Sequence, residues 1–211
     1  MAFHHFTKMA TGGTMALGLV CAGTLRADVV EDFEDYTDSA SLVSSTSGAT
    51  ANVTVELAAN GINGGKSFKM TGANNLDPWW SMVKFDVSDF SLSGVDAVTF
   101  DAITLKNPGD LDCSIENLWV FLYDVDGNEL AANKDLGTTR DYQDNLTTLS
   151  IDTSSIDGTV SQVGFLFDAV DYGQSIMLFD NFQTVTVPEP ASMMLLGLTG
   201  LAFLGRKRRK H

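Results

Sequence analysis

The chain has 211 residues, 44% of them hydrophobic, and a formal charge of −14 from 27 acidic and 13 basic side chains. Seven of the basic residues fall outside residues 28–185, whereas Glu189 is the one acid outside them, so the middle holds six bases against 26 acids, close to −20. That balance excludes nucleic acid as a partner, because phosphate backbones require a cationic footprint that releases counterions; it suits divalent cations and salty or polysaccharide-rich surroundings.

Read from the start, Lys8 precedes an apolar, small-residue run over 9–23, and Leu25-Arg26-Ala27 offers a small residue just before the acidic stretch opens at Asp28. A basic start, a short apolar core and a small-residue exit predict a secretory signal peptide over 1–27, cleaved after Ala27, with Ala22 and Gly23 as alternative sites. Leu19-Val20-Cys21 has the outline of a lipoprotein acylation site, but Val20 is bulky where a small residue is needed. Cleavage leaves Cys113 as the lone cysteine, unable to form an internal disulfide. The histidines are His4, His5 and His211, so none lies within 28–185 to activate that thiol, which reads as buried and idle.

Between the ends, short apolar or alternating runs are separated by Gly, Asn, Asp, Ser and Pro clusters, with no long stretch of helical period. The spacing predicts about eight strands, over 52–57, 66–71, 79–86, 97–105, 118–124, 146–151, 162–168 and 175–182. The domain over 28–185 is therefore expected to be all-β, an antiparallel sandwich. Gly61-Ile62-Asn63-Gly64-Gly65 reads as a turn, and Asp124-Val125-Asp126-Gly127-Asn128-Glu129 as a hairpin turn in preference to a calcium loop, since it lacks the full spacing of an EF-hand.

Alternation gives each strand two faces. Trp79, Ser81, Val83 and Phe85 share one and Trp80, Met82 and Lys84 the other, which makes Trp80 the displayed member of the pair; Trp119, Phe121 and Tyr123 share a face of their own strand. Aromatic rings stack on the apolar faces of pyranosides, so Trp80, Trp119 and Tyr123 are the candidate sugar-binding residues, although a ring in a strand is more often packed than displayed. Asp180 falls on a face with Ile176, Leu178 and Phe182, an acid among apolar neighbours that needs a partner. Without histidine the domain has no Ser-His-Asp or Cys-His scheme and no His-ligated zinc, and no carboxylate pair stands out among 26 acids, so the chain reads as non-enzymatic.

Four segments together, Glu31-Asp32-Phe33-Glu34, Trp80-Ser81-Met82-Val83-Lys84-Phe85-Asp86 leading to Val95–Phe100, Phe121-Leu122-Tyr123-Asp124-Val125-Asp126-Gly127 and Leu178-Phe179-Asp180-Asn181-Phe182, look like the jelly-roll, galactose-binding-like carbohydrate-binding modules. The resemblance implies a structural Ca²⁺ held by an N-terminal acid and an aspartate of the last strand, here Glu34, with Asp32 as its rival, and Asp180.

The tail, residues 186–211, runs Val187-Pro188-Glu189-Pro190, then an uncharged apolar stretch over 191–205, then a basic end over 206–211. Fifteen helical residues span roughly 22 Å, short of the roughly 30 Å hydrocarbon core, so the predicted transmembrane helix crosses only with snorkelling flanks or a thinned bilayer. Its basic end belongs on the cytoplasmic side, leaving the sandwich outside. This order resembles the PEP-CTERM sorting signal, with Pro188, Glu189 and Pro190 as its motif, and implies recognition by an exosortase that removes the helix. The expected product is an exported protein, anchored in the inner membrane before processing and then at the cell surface or outside, that binds a polysaccharide. The alternatives are an acidic structural matrix protein with no sugar site and, more remotely, a glycan-acting enzyme.

Overall fold

The computed structural model describes residues 26–73, 80–169 and 173–187. The predicted signal peptide up to residue 25, Trp79, the Pro188-Glu189-Pro190 motif, the predicted helix over 191–205 and the basic end lie outside the described residues. Among the described residues no helix is long and apolar enough to cross a membrane.

Among the described residues eleven strands fold into two antiparallel sheets. In chain order they are β1 (Arg26–Glu31), β2 (Thr46–Ser47), β3 (Val53–Ala58), β4 (Ser67–Ala73), β5 (Trp80–Ser91), β6 (Ala97–Leu105), β7 (Glu116–Tyr123), β8 (Glu129–Asn133), β9 (Thr147–Asp152), β10 (Thr159–Ala169) and β11 (Gln174–Thr186). The first sheet is ordered β3-β4-β11-β6-β9, with β1 also on β11; the second is β2-β5-β10-β7-β8. From β5 to β7, and again from β8 to β11, successive strands alternate between the sheets, so the chain winds around one shared core. One short helix, α1 (Ser39–Ser44), is opened by Asp38, whose side chain accepts from the Ser41 N–H while the Ser41 hydroxyl takes the Asp38 N–H.

Phenylalanine fills the core because alternation turns rings inward from several strands, and the register shift between Asp180 and Gln183 lets β11 turn in both Phe179 and Phe182. Phe68 of β4, Phe85 of β5, Phe100 of β6, Phe165 of β10 and Phe179 and Phe182 of β11 are all buried, joined by Phe33 from the loop after β1. Phe165 and Phe179 stack across the sandwich with ring centroids 3.8 Å apart, and Phe100 lies on Phe182 at 5.1 Å. Each such ring contributes roughly 1.5–3 kcal/mol by leaving water.

Every predicted strand is present, and three unpredicted ones join them. β1 shows no apolar alternation because its first four residues are exposed; it is ordered by pairing with Phe182–Thr186 of β11. β2 is two residues long, and β8 is the return arm of the hairpin at Asp124–Asn128. That hairpin is a turn: the Asp124 carboxylate accepts the Asn128 N–H at 2.8 Å and its side-chain amide at 2.9 Å, and Gly127 takes a φ of 81° that favours glycine. Residues 61–65 likewise form a single 3₁₀ turn over Ile62–Gly64. Cys113 is free and buried, and burial pushes its thiol pKa up, as an idle cysteine requires.

Candidate functional site

In the second sheet the inward positions are Val83 and Phe85 on β5, Val163, Phe165 and Phe167 on β10, and Leu118, Val120 and Leu122 on β7. The alternate residues therefore stand on its outer face, and the register lines them up in rows. Asp86, Gln162 and Tyr123 form one row; Lys84, Gly164 and Phe121 the next; Met82, Leu166 and Trp119 the third; Trp80, Asp168 and Asn117 the fourth. The structure thus brings the three sequence-predicted aromatic residues, Trp80, Trp119 and Tyr123, onto one face. Phe121 and Lys84, which parity already placed on the faces of Trp119 and Trp80, complete it with Gln162 and Leu166; those two were not singled out from the sequence, because the meeting of β5, β10 and β7 depends on which strands pair.

Along β7 the rings form a continuous stripe: Trp119 meets Phe121 edge-on at 6.5 Å and Phe121 stacks on Tyr123 at 5.9 Å. Gly164 sits opposite Phe121 on β10, and a Cβ there would lie 2.8 Å from the Tyr123 ring, so its missing side chain is what allows Tyr123 to lie down across the strand. Lys84 reaches over the same spot, its ammonium 3.6 Å from the Tyr123 centroid. From the other flank Lys134 lies 5.2 Å from the Phe121 ring and 5.8 Å from Trp119. Under these cations Phe121 and Tyr123 are only 6% and 7% exposed, while Trp80 and Trp119 are half-buried and present ring surface. Burial, then the nearby Glu129 charge, pushes the Tyr123 hydroxyl pKa up, keeping it a neutral donor. Polar groups border the stripe: the Gln162 amide donates to Asp86 at 2.8 Å, and Asp168 stands between Trp80 and Asn117.

A second feature lies in the first sheet. β4 pairs with the first half of β11 and β1 with the second half along the same edge, so the two partners end beside Asp180, where a register shift and a φ of 52° at Asn181 interrupt the ladder. Asp180, only 4% exposed, accepts from the Ser67 hydroxyl at 3.0 Å and the Asn181 N–H at 2.7 Å. Its pKa is pushed up to about 6, first by burial and then by the charges of Glu34 and Asp32. Glu34 accepts the Lys66 N–H at 2.8 Å, while the Lys66 ammonium is spent on the carbonyls of Glu34 and Tyr36. Burial also raises the pKa of Glu31, which accepts the Phe33 N–H. Among the described residues no three His, Cys, Asp or Glu side chains converge as a metal-binding group. The junction offers the two sequence-predicted carboxylates, Glu34 and Asp180, with a hydroxyl beside them, an oxygen-only donor set of the kind a hard cation takes.

A pocket of about 410 Å³ lies elsewhere, between β1, the end of β5 and β11, bordered by Asp28, Val29, Asp89, Phe90, Thr184 and Thr186. It contains none of the stripe residues.

Comparison with known proteins gives two results. Residues 186–210 match the PEP-CTERM protein-sorting motif, which therefore begins at the last residue of β11. No curated protein matches the chain. Among solved structures, a family 11 carbohydrate-binding module of a cellulosomal cellulase of Clostridium thermocellum is similar at 12% identity and a TM-score of 0.50, covering 78% of this chain and 97% of that one. The solution structure of the module CtCBM11 gives the same identity and TM-score over 80% and 99%. The CBM22-1 xylan-binding domain from Paenibacillus barcinonensis has 19% identity and a TM-score of 0.45 over 76% and 97%. At these identities the likeness is one of fold, an all-β sandwich such as those modules have, in a chain whose residues 186–210 match the PEP-CTERM protein-sorting motif.

Proposed function

We propose that this is an exported, non-catalytic surface or matrix protein whose sandwich binds polysaccharide on the outer face of its second sheet. The single observation that supports this reading most is the run Trp119, Phe121, Tyr123 pointing away from the core beside Trp80. A sandwich needs its inner faces apolar but not its outer ones, so the ring surface that Trp80 and Trp119 present at the end of the outward stripe supports a role for it in taking a ligand. Rings supply the stacking and Asp86, Gln162, Asn117 and Asp168 the hydrogen bonds that a sugar's hydroxyls would take. The tail motif supports export with inner-membrane anchoring, followed by exosortase processing and release to the surface. Ca²⁺ at Glu34 and Asp180 would act structurally, neutralising a buried carboxylate where two strands end.

The second reading, an acidic structural protein without a sugar site, is favoured by one fact: Lys84 and Lys134 lie over the stripe and leave Phe121 and Tyr123 nearly buried. The two readings part in affinity electrophoresis of the full-length protein in mild detergent, run through gels containing diverse polysaccharides. The sugar-binding reading expects retardation on at least one glycan, weakened about tenfold or more by Trp119→Ala at unchanged melting temperature. Retardation by no glycan, or retardation that Trp119→Ala leaves intact, hands the face to the structural reading.

A further inference from the structure

We infer that the glycan taken by this face is anionic, a polysaccharide bearing carboxylate or sulfate groups along its repeat. The inference rests on the reading of the face as a sugar site and adds the class of sugar.

It starts from where the positive charge sits. The domain has six bases against 26 acids, and among the described residues most of those bases are already spent. Lys69 pairs with Glu56 at 2.6 Å, Lys106 with Asp110 at 2.9 Å, and Arg140 with Asp112 and the Cys113 carbonyl. Lys66 donates to two backbone carbonyls. Lys84 is different: the partner of its ammonium is the Tyr123 ring at 3.6 Å, and among the described residues no carboxylate forms an ion pair with it. Lys134 touches Glu129 only at 3.9 Å, between half-exposed side chains, a contact that solvent screens. Two of six bases thus lie over one aromatic stripe, reaching it from its two flanks, in a domain that elsewhere neutralises or solvates its cations.

Surface repulsion or solubility explains an excess of acid, not the placement of the least-neutralised cation on the one outward face with rings. Of the acids on that face, Asp86 accepts from the Gln162 amide, Asp168 lies two rows away beside Trp80, and Glu129, opposite Tyr123, lies 3.9 Å from Lys134 and forms no ion pair with Lys84. What Lys84 lacks is an anion, and a sugar stacked on the stripe would bring one within reach. Its point charge serves carboxylate and sulfate alike, since an ammonium imposes none of the planar matching that a guanidinium does. The domain's net negative charge opposes a polyanion at long range, yet at about 0.15 M salt the screening length is about 8 Å, so the bulk of that charge is hidden while a contact at the stripe persists.

The test uses full-length protein in mild detergent, at about 0.15 M salt with chelator present so that no calcium bridges protein to polyanion. Four polysaccharides are compared: polygalacturonate, the same polymer with its carboxyl groups reduced, dextran sulfate and neutral dextran. Binding to polygalacturonate, to dextran sulfate or to both, about tenfold or more above the reduced and neutral polymers, is the expected result, and the arm that binds identifies carboxylate or sulfate as the recognised group. Lys84→Met keeps the aliphatic stem over Tyr123 and should erase that preference; Lys84→Arg should restore it; Trp119→Ala should weaken binding to every polymer. Equal binding to neutral and anionic polymers, unchanged in Lys84→Met, overturns the charge inference while the sugar face stands. Binding to none of the four overturns the charge inference, and the sugar face falls with it only if the wider polysaccharide panel also gives no retardation; binding indifferent to Trp119→Ala overturns both.

Discussion

The two outer faces of this sandwich obey the same alternation and carry opposite content. On the first sheet the outward positions are Thr54 and Glu56, Lys69 and Thr71, Thr99 and Asp101, Thr148 and Ser150, with the aliphatic Ile103, Leu105, Ile176 and Leu178 in a central strip; Lys69 pairs with Glu56 across the strands, and Thr148 donates to Asp101 at 2.6 Å. On the second sheet the corresponding positions are Trp80, Met82, Lys84 and Asp86, Gln162, Gly164, Leu166 and Asp168, and Asn117, Trp119, Phe121 and Tyr123, so its aromatic rings gather on β7, with Trp80 on β5, and polar groups stand at the border. Polar groups border an aliphatic strip on the first face and pair with one another; on the second, two lysines lie over an aromatic stripe, with Trp80 and Trp119 half-buried beside it. The difference between the faces is thus one of aromatic content and cation placement, and it is on the second face that the proposed sugar site would lie.

The largest way to break that contrast is to remove what both faces share. Phe165 of the second sheet stacks on Phe179 of the first, with no exposure on either ring. Phe165→Ala should cost about 3–5 kcal/mol and lower the urea midpoint sharply, abolishing glycan retention together with the fold. If retention fails while the midpoint holds, Phe165 would have to act on the ligand face directly, and the separation between an inner fold-bearing layer and an outer binding layer would be wrong.

A smaller effect, on the order of 2 kcal/mol, is expected at Asp180 and belongs to the first sheet alone. Without metal its pKa stands at about 6 against an ordinary 3.8, so the native state holds its proton more tightly than the unfolded chain does. Stability contributed by the protonated form is complete below about pH 4 and is lost as pH rises through about 6. In chelator the melting temperature should fall between those pH values and then level, and Asp180→Asn should flatten the curve and melt higher than wild type at neutral pH. Added Ca²⁺ should reverse the order, stabilising wild type above pH 6 and leaving Asp180→Asn unmoved. Identical wild-type melting curves with chelator and with calcium would remove the ion from the junction.

How far these features could be read in advance follows from the range of the interactions behind them. Parity within one strand put Trp80 opposite Ser81, Val83 and Phe85, and grouped Trp119 with Tyr123, because alternation is local. Asp180 stood out as an acid amid Ile176, Leu178 and Phe182 for the same reason. The stripe's lysine cover was not legible: Lys84 and Tyr123 are 39 residues apart and meet only because β10 inserts between β5 and β7 with a glycine at the crossing row. β1 was missed because its order comes from a partner more than 150 residues away, not from its own pattern; Arg26 pairs with Thr186. Expectations that fall on the signal peptide, Trp79 and the sorting tail lie outside the described residues.

The smallest expected effect also sharpens the comparison most, because it poses one substitution to both sheets. Neither Gly72 of β4 nor Gly164 of β10 has a positive φ, so alanine fits both backbones, and in each case the new Cβ would sit 2.8 Å from an aromatic ring. At Gly72 the obstacles are Phe167 and Ser81, both inside the core with no room to retreat, and overpacking there should cost about 1–3 kcal/mol. At Gly164 the obstacle is Tyr123 on the outer face, which can rotate outward once Lys84 yields; the other neighbours, Lys84 and Met82, are at ordinary contact distances of 3.6 and 3.7 Å. Gly164→Ala should therefore cost under about 1 kcal/mol in stability, raise the exposure of Tyr123 to solvent-perturbation spectroscopy and change glycan affinity, whereas Gly72→Ala should lower the melting temperature and leave the affinity of the folded fraction alone. If Gly164→Ala destabilises as strongly as Gly72→Ala, Tyr123 is packed as core and the stripe ends at Phe121.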